Sequence, residues 1–325
     1  MNPLPLAADP KRLLDGAGME TRSSRQPRWQ HHQDFRNREY LAPPRANFRS
    51  PMREATPSPL HKVHRFLDEA GDTTFFGKGR VPILGQDGVS CCFSLGMVTF
   101  AAPVAEVRTQ VEQLCRAVAG DDYLNRIPSV AKRIQSGGFF FHAKDDPPEV
   151  RERLFKWIRD TDCSLEMVVG RKIPGLFARK HHGKDSEFYA DLLSHLLKNK
   201  LQLGQRLVIN LAERGKTTRN HVLELAMTKA CERFAKKHEA AEISSEVVFN
   251  VQNPRTEPLL CVPDYLAWAV QRVFERGGMH HYDFVRERIA LVVDLYDSEN
   301  QAAGGNSYSP ERPLSVENKL GPPMS

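Results

Sequence analysis

Long apolar runs are absent from this 325-residue chain, and their absence argues against a membrane-spanning helix. No stretch approaches the roughly 18 consecutive apolar residues that a helix needs to cross a bilayer. The first 15 residues include two aspartates and no continuous apolar core, so a secretory signal peptide is not expected. The sequence therefore predicts a soluble, cytoplasmic protein that does not contact a membrane.

Cysteine is scarce, and its spacing argues against a disulfide framework or a zinc site. None of the cysteines forms a Cys-x-x-Cys pair, and all lie inside apolar or helical stretches. Scattered thiols of this kind indicate a reducing compartment and small buried side chains. The six cysteines are Cys91, Cys92, Cys115, Cys163, Cys231 and Cys261.

Other familiar signatures are also missing. No Gly-x-Ser-x-Gly elbow is present, which argues against a serine hydrolase of that type. Adjacent histidines occur at 31–32, 181–182 and 280–281, but adjacent residues do not share a helix face and no acid or cysteine stands at ligand spacing. We interpret them as surface or loop histidines.

Aromatic residues have simple structural interpretations. The three phenylalanines at 139–141 could stack on bases, but a buried strand explains them more directly. Trp157 and Trp268 have apolar neighbours at helical spacing and are interpreted as core residues.

Composition divides the chain into three parts. Residues 1–58 are rich in Arg, Pro, Gln, Asn and His without an apolar period, which predicts a disordered basic arm; an arginine-rich nucleic-acid tether is the alternative. Residues 59–298 carry the periodic apolar pattern, and residues 299–325 are predicted to be a disordered tail. The net charge of +6 and pI of about 9.0 are compatible with a nucleic-acid partner, although the arm carries part of the excess.

Strand and helix patterns alternate through the middle part. Strands are predicted at 63–67, 92–100, 139–142, 165–169, 206–211 and 246–251, and helices at 105–118, 147–158, 186–197, 220–234, 263–274 and 282–296. This alternation predicts an α/β domain in which helices cover a sheet. Since sites in such sheets lie beyond the carboxyl ends of strands, the positions after Leu67 and Leu211 are the candidates.

Three acidic residues crowd the end of the first strand. The segment 68–72 reads Asp-Glu-Ala-Gly-Asp and follows an apolar run. Carboxylate oxygens are the ligands that Mg²⁺ takes from proteins, so this segment is a candidate metal site. The alternative is a polar turn in which Asp and Gly serve the turn geometry.

Glu213 occupies the corresponding place after the predicted strand 206–211. The basic residues Arg214, Lys216 and Arg219 follow it, which suggests a metal ligand beside contacts to substrate phosphates. A solvated turn leading to a helix capped near Asn220 is the alternative.

The same loop nearly matches a nucleotide-binding sequence. Residues 210–217 resemble Gly-x-x-x-x-Gly-Lys-Thr between a strand and a helix. Asn210 replaces the first glycine, however, and asparagine lacks glycine's conformational freedom. Too little chain follows to complete a nucleoside-triphosphate-binding sheet, so we do not favour this interpretation.

Asp264 follows a proline at the start of an otherwise apolar helix. A carboxylate in the first turn interacts favourably with the helix N-terminus, which is a sufficient structural role. The same effect keeps the acid ionised, as a metal ligand must be.

Two of these segments together resemble domain-of-unknown-function family 3800. Residues 68–72 resemble its opening Asp-Glu-Ser-Gly-Asp signature, and residues 260–270 resemble its second signature, Gln-x-x-Asp followed by an aromatic residue and a helix. Residues 213–215 are similar to a loop common between them, and the resemblance covers about residues 60–300. Ala70 replaces the serine of the first signature, and Cys261 replaces the glutamine of the second.

The resemblance implies a ribonuclease H-like fold and an acidic metal site, while no general activity is established for the family. It suggests a phosphodiesterase or nuclease that uses Mg²⁺ or Mn²⁺. A non-catalytic module of the same fold, binding nucleic acid or protein, is the alternative, because the lost glutamine could weaken a site at Asp264. The implied catalytic residues are Asp68, Glu213 and Asp264, the implied metal ligands add Asp72, and the phosphate contacts are Arg214, Lys216 and Arg219.

Overall fold

The computed structural model describes residues 60–212, 219–238, 242–297 and 305–321, which form a mixed sheet with helices on both faces. The predicted α/β class is therefore confirmed. The strands are β1 His61–Gly71, β2 Cys92–Phe100, β3 Cys163–Arg171, β4 Gln205–Ala212, β5 Glu246–Gln252, β6 Ile289–Asp294 and β7 Ser307–Tyr308. The helices are α1 Val104–Gly120, α2 Pro128–Gln135, α3 Pro148–Asp160, α4 Pro174–His181, α5 Asp185–Leu197, α6 Arg219–Lys237, α7 Cys261–Arg276 and α8 His280–Val285.

The strand order brings the two predicted site positions to one edge of the sheet. The order is β5-β4-β1-β2-β3-β6-β7; β1, β2 and β3 are antiparallel neighbours, and β4 runs parallel to β1. Strand β5 runs parallel to β4, β6 runs parallel to β3, and β7 is antiparallel to β6. Leu67 of β1 pairs with Leu211 of β4, so the carboxyl ends of these strands lie side by side.

Alternation along β1 decides which acid faces which layer. Phe66 belongs to the core under α1, α3 and α7, whereas Leu67 belongs to the core under α5 and α6. Successive side chains of a strand point to opposite faces. Asp68 is therefore on the α7 side of the sheet, with Phe66 and Ala70.

A glycine allows α7 to lie close to the sheet beside Asp68. Gly96 of β2 pairs with Asp68, and a Cβ atom at Gly96 would lie 2.9 Å from Leu165 Cδ1 and 3.3 Å from Ala267 Cβ. Contacts this short would require the neighbours to move. Because Ala267 is three residues after Asp264, Gly96 sets the height of the Asp264 turn above the strand.

Two element predictions are wrong. Residues 139–142 form no strand; their backbone groups bond to side chains, as Phe140 accepts from Arg133 Nη1 at 2.7 Å and the His142 N–H donates to Asp146 Oδ2 at 2.9 Å. The helix predicted at 282–296 ends at Val285 in the structure, and Ile289–Asp294 pairs with β3 as strand β6. A short apolar run fits either element, and here the sheet edge decides.

The prediction of a disordered tail is wrong for residues 305–321. Strand β7 pairs with β6, Tyr308 and Leu314 are buried, and the Leu320 N–H donates to the Phe274 carbonyl at 2.7 Å. This segment therefore packs against the end of α7. The predicted arm at 1–58 lies outside the described residues, and within the described ranges no helix is both long and apolar enough to cross a membrane.

Candidate functional site

Asp68 and Asp264 line one cavity of about 390 Å³ between the carboxyl end of β1 and the first turn of α7. Asp68 and Asp264 are half-buried residues at this cavity. His142 and Lys144, from the irregular segment after α2, complete one wall. The structure thus joins the first and third predicted acidic segments, which are far apart in the chain.

Burial and neighbouring negative charge disfavour the ionisation of both carboxylates. Burial raises the pKa of Asp68 well above its ordinary value, and the negative charge of Asp264 raises it further. Burial also raises the pKa of Asp264 to about 7, and the charges of Asp146 and Asp145 add to this shift, although the N–H of Ala143 donates to its Oδ2 at 2.8 Å and opposes it. A pair of this kind is stabilised by any positive charge placed between its members.

The segment that holds Asp264 in place is itself anchored by a neighbouring acid. Asp146 is buried. It accepts a hydrogen bond from the Tyr265 hydroxyl and forms an ion pair with Arg133 at 2.5 Å. Tyr265 follows Asp264 directly in α7, so the helix and the segment carrying Ala143 are tied together. Asp146 is not among the predicted site residues, and its only indication in the sequence is its place shortly after the three phenylalanines at 139–141.

Asp72 lies apart from the carboxylate pair. It accepts from the Ser90 N–H at 2.8 Å and from Lys172 Nζ at 2.8 Å, and it lines a neighbouring cavity instead. Burial alone would raise the pKa of Asp72, but the bonds from Lys172 and Ser90 lower it below its ordinary value. Gly71 makes this turn possible with φ of +90°, where a Cβ atom would lie 2.4 Å from the Cys92 carbonyl oxygen.

The other predicted site residues fall at the limits of the described chain. Glu213, Arg214 and Lys216 lie outside the described residues, and Arg219 opens α6 without a described side chain. Ala212, which precedes them, lines the same cavity as Asp68. The end of β4 therefore reaches the cavity, as predicted from the strand order.

Cys261 lines the cavity where the resemblance expects glutamine. Burial raises the pKa of its thiol well above the ordinary value, and nearby Cys115 and Asp264 add to this shift. The thiol is therefore neutral, and it offers neither the amide donor nor the amide oxygen of a glutamine.

The donor set fits an open magnesium site better than a closed structural one. Within the described ranges, no cluster of three or more His, Cys, Asp and Glu side chains is arranged to hold a metal ion. Mg²⁺ usually takes only one or two protein carboxylates and completes its shell with waters and substrate phosphates. Asp68 and Asp264 meet that requirement by themselves.

A larger cavity of about 710 Å³ adjoins the first and is rich in basic side chains. The two cavities share Gly71, Lys144, Trp268 and Gln271, so they lie side by side along α7, and together they are called the cleft below. The sequence analysis missed these basic residues, although the spacing of Trp268, Arg272 and Arg276 at every fourth position could have indicated a common helix face. The cations lining the larger cavity are Lys144, Arg151, Arg272, Arg276 and Lys319.

A scan against models of protein families and a search of curated proteins each found no match to this chain. The resemblance to family 3800 therefore stays a prediction that rests on residues 68–72 and 260–270. The function must be argued from the cleft itself.

Proposed function

We propose that the protein is a phosphodiesterase that acts on nucleic acid and depends on Mg²⁺ or Mn²⁺, with Asp68 and Asp264 as the metal ligands. The observation that carries the proposal is the meeting of these two carboxylates, from β1 and α7, in one open cavity. Their raised pKa values supply the electrostatic reason for cation binding. The adjoining basic cavity supplies the reason for an anionic substrate.

The chemistry divides between the metal and the chain. When bound, a divalent ion lowers the pKa of a water ligand and polarises a phosphoryl oxygen. The chain holds that position with Asp68 and Asp264, and Lys144 lines the cavity where it can donate charge-assisted hydrogen bonds to phosphate oxygens. His142 lies in the same wall and is the side chain placed to exchange a proton with the leaving oxygen.

The same proposal covers the fold family and the compartment. The antiparallel set β1, β2 and β3, with β4 and β5 added in parallel beside β1, supports a ribonuclease H-like sheet and membership of family 3800. Free cysteines, four of them buried, support a reducing compartment such as the cytoplasm.

The first test is calorimetric titration of Mg²⁺ and Mn²⁺ into the wild type, Asp68→Asn and Asp264→Asn. We expect binding by the wild type and its loss in both variants. Asp160→Asn is the matched control, because Asp160 is a surface carboxylate whose side chain is 67% exposed and does not line the cavity. Binding that persists in both variants would contradict the assignment of the ligands.

Cleavage is then measured on single-stranded DNA, duplex DNA and RNA. We expect metal-dependent hydrolysis by the wild type and Asp160→Asn, and none by the two cavity variants. A second candidate, a catalytically silent binding protein, is favoured by the neutral Cys261 thiol beside Asp264. Metal binding and nucleic-acid binding without cleavage would select that candidate.

A further inference from the structure

One face of helix α7 lines the cleft along most of its length with polar and aromatic side chains. Asp264, Trp268, Gln271 and Glu275 recur at intervals of three or four residues, and all line the joined cavities. Arg272 and Arg276 follow on the adjacent stripe. The cleft therefore runs from the carboxylate pair at the start of α7 to its basic carboxyl end.

The length of the helix fixes the scale of the cleft. At a rise of about 1.5 Å per residue, Arg272 lies about 12 Å and Arg276 about 18 Å along the axis from Asp264. Phosphates of one strand in a duplex are spaced about 3.4 Å along its axis. The distance from the carboxylate pair to the arginines thus corresponds to about four or five phosphates of a bound strand.

The acids of the larger cavity offset only part of its positive charge. Asp72 is paired with Lys172, which leaves Glu275 and Asp87 to face five lysine and arginine side chains. Glu275 accepts the N–H groups of Cys91 at 2.8 Å and Cys92 at 2.9 Å. Asp87 is exposed at the rim. Burial lowers the pKa of Arg272, and the charges of Arg276 and Arg151 lower it further, so the cations gathered there repel one another.

The basic residues come from separate parts of the chain. Arg151 belongs to α3, Arg272 and Arg276 to α7, and Lys319 to the segment that packs on the end of α7. Among the residues that the structure describes, neither Arg272, Arg276 nor Lys319 forms an ion pair with a carboxylate. Their convergence on one cavity is therefore not explained by pairing within the fold.

Trp268 fixes two of these cations rather than offering a surface for a base. The Arg151 guanidinium lies 4.8 Å and the Arg272 guanidinium 5.0 Å from the ring centroid. Cation–π contacts of this kind hold the guanidinium groups in place. A ligand in the cleft therefore meets fixed positive charge, which recognises a phosphate backbone and not a base sequence.

We infer that the cleft along α7 binds the sugar-phosphate backbone of a nucleic-acid strand several phosphates long, without base specificity. The inference rests on the proposed function for the identity of the reacting end, at Asp68 and Asp264. It adds that mononucleotides and dinucleotides are poor ligands, because their one or two phosphates contact only some of the basic residues of the cleft. Binding to the basic half requires no metal.

The test is fluorescence anisotropy in EDTA with labelled di-, tetra- and octanucleotides of mixed sequence, as DNA and as RNA. We expect affinity to rise with length until the strand reaches Arg276. Arg272→Gln and Lys319→Gln should each weaken octanucleotide binding several-fold and reduce the salt slope by about one. Arg116→Gln is the matched control, since Arg116 is a surface arginine of α1 whose side chain is 67% exposed and does not line the cleft.

The outcomes separate this inference from the proposed function. Lys319→Gln lies outside α7 and leaves the Trp268 stack intact, so it serves if Arg272→Gln does not fold. Asp68→Asn should retain octanucleotide binding in EDTA while it loses metal binding and cleavage. Equal affinity for dinucleotide and octanucleotide, or equal losses in Arg272→Gln and Arg116→Gln, would overturn the inference. Length-dependent binding without metal binding would overturn only the proposed function.

Discussion

At the scale of single residues, the facing carboxylates impose an energetic cost on the fold when no cation is present. The protonated form of Asp68 is favoured in the folded state, because burial and then Asp264 raise its pKa above the value in the unfolded chain. The contribution of Asp68 to stability is therefore fully present at low pH. It is lost as the pH rises from the pKa of this carboxyl in the unfolded chain towards its pKa in the folded state.

Asp68→Asn should stabilise the metal-free protein at neutral to basic pH. The amide has no charge to desolvate or to repel Asp264, so we expect a gain in the free energy of unfolding near pH 8 of about 1–2 kcal/mol, the usual scale of a single substitution. Near pH 4 the gain should vanish, since the wild-type carboxyl is then protonated. Urea unfolding in EDTA at both pH values measures it.

The exposed Asp160 provides the comparison for this experiment. Asp160→Asn removes a surface charge that is remote from the cavity, so its effect should be small at both pH values. An effect of Asp68→Asn that is the same near pH 4 and pH 8 would mean that the folded state does not raise the pKa of Asp68.

At the scale of elements, the height of α7 above the sheet determines whether Asp264 reaches Asp68. Gly96 permits the approach, because a Cβ atom there would lie 2.9 Å from Leu165 Cδ1 and 3.3 Å from Ala267 Cβ. Gly96→Ala should reduce the free energy of unfolding by about 1–2 kcal/mol through overpacking. It should also weaken Mg²⁺ binding, although it changes no acidic residue.

Gly170 offers the matched substitution on the opposite face of the same sheet. A Cβ atom at Gly170 would lie 3.0 Å from side-chain atoms of Leu192 and Phe188, which belong to α5. Gly170→Ala should therefore lose similar stability in urea unfolding while calorimetry shows unchanged metal affinity. If both variants lost metal affinity equally, general destabilisation and not the position of α7 would be responsible.

The elements also show what local sequence can predict. The apolar period gives β2 with the bounds seen in the structure, and the stripe that begins before Asp264 gives α7 to within two residues at each end. The run 289–293 falls within the helix predicted at 282–296, but its apolar residues suit a strand equally well, and pairing with β3 makes it a strand. The local apolar pattern therefore predicts the type of a long element, but it does not predict the type of a short apolar run that becomes a strand by pairing with the edge of a sheet.

The candidate site divides in the same way. Asp68 and Asp264 were predictable, because each stands at the end of a strand or the start of a helix whose place in the fold follows from the pattern. Asp72 satisfied the same local rule but meets Lys172, which only tertiary packing brings near. Arg151 and Lys319 had no local signal at all, since they reach the cleft from α3 and from the segment after β7.

At the scale of the whole molecule, a buried ionic network joins the helices of the α5 face. Asp191 of α5 is 2% exposed, pairs with Lys180 at 2.8 Å and with Arg233 of α6, and accepts from the Tyr296 hydroxyl at 2.5 Å. His181 of α4 lies 3.3 Å from the same carboxylate. One residue thus links α4, α5, α6 and the segment after β6.

This network predicts the protein's sensitivity to acid. Burial alone would raise the pKa of Asp191, but hydrogen bonds from His181, Lys180 and Tyr296 hold it well below its ordinary value. A lowered folded-state pKa contributes stability that is present above the unfolded value, about 4, and is lost as the pH falls below it. Asp191→Asn should therefore reduce the free energy of unfolding by about 3–5 kcal/mol at neutral pH and by progressively less below pH 4.

Urea unfolding from neutral pH to about pH 3 tests the prediction, with wild type and variant compared at each pH. Burial lowers the pKa of the neighbouring His195 to about 3 and the charge of Asp191 opposes this shift, so the contribution of this histidine differs between the two proteins only near pH 3 and below. Asp160→Asn is the control, since Asp160 is an exposed acid paired with Arg159 on the surface, and its loss should leave the acid transition unchanged. A variant-to-wild-type difference that stays constant down to pH 3 would show that Asp191 is not the group whose protonation loosens the α5 face.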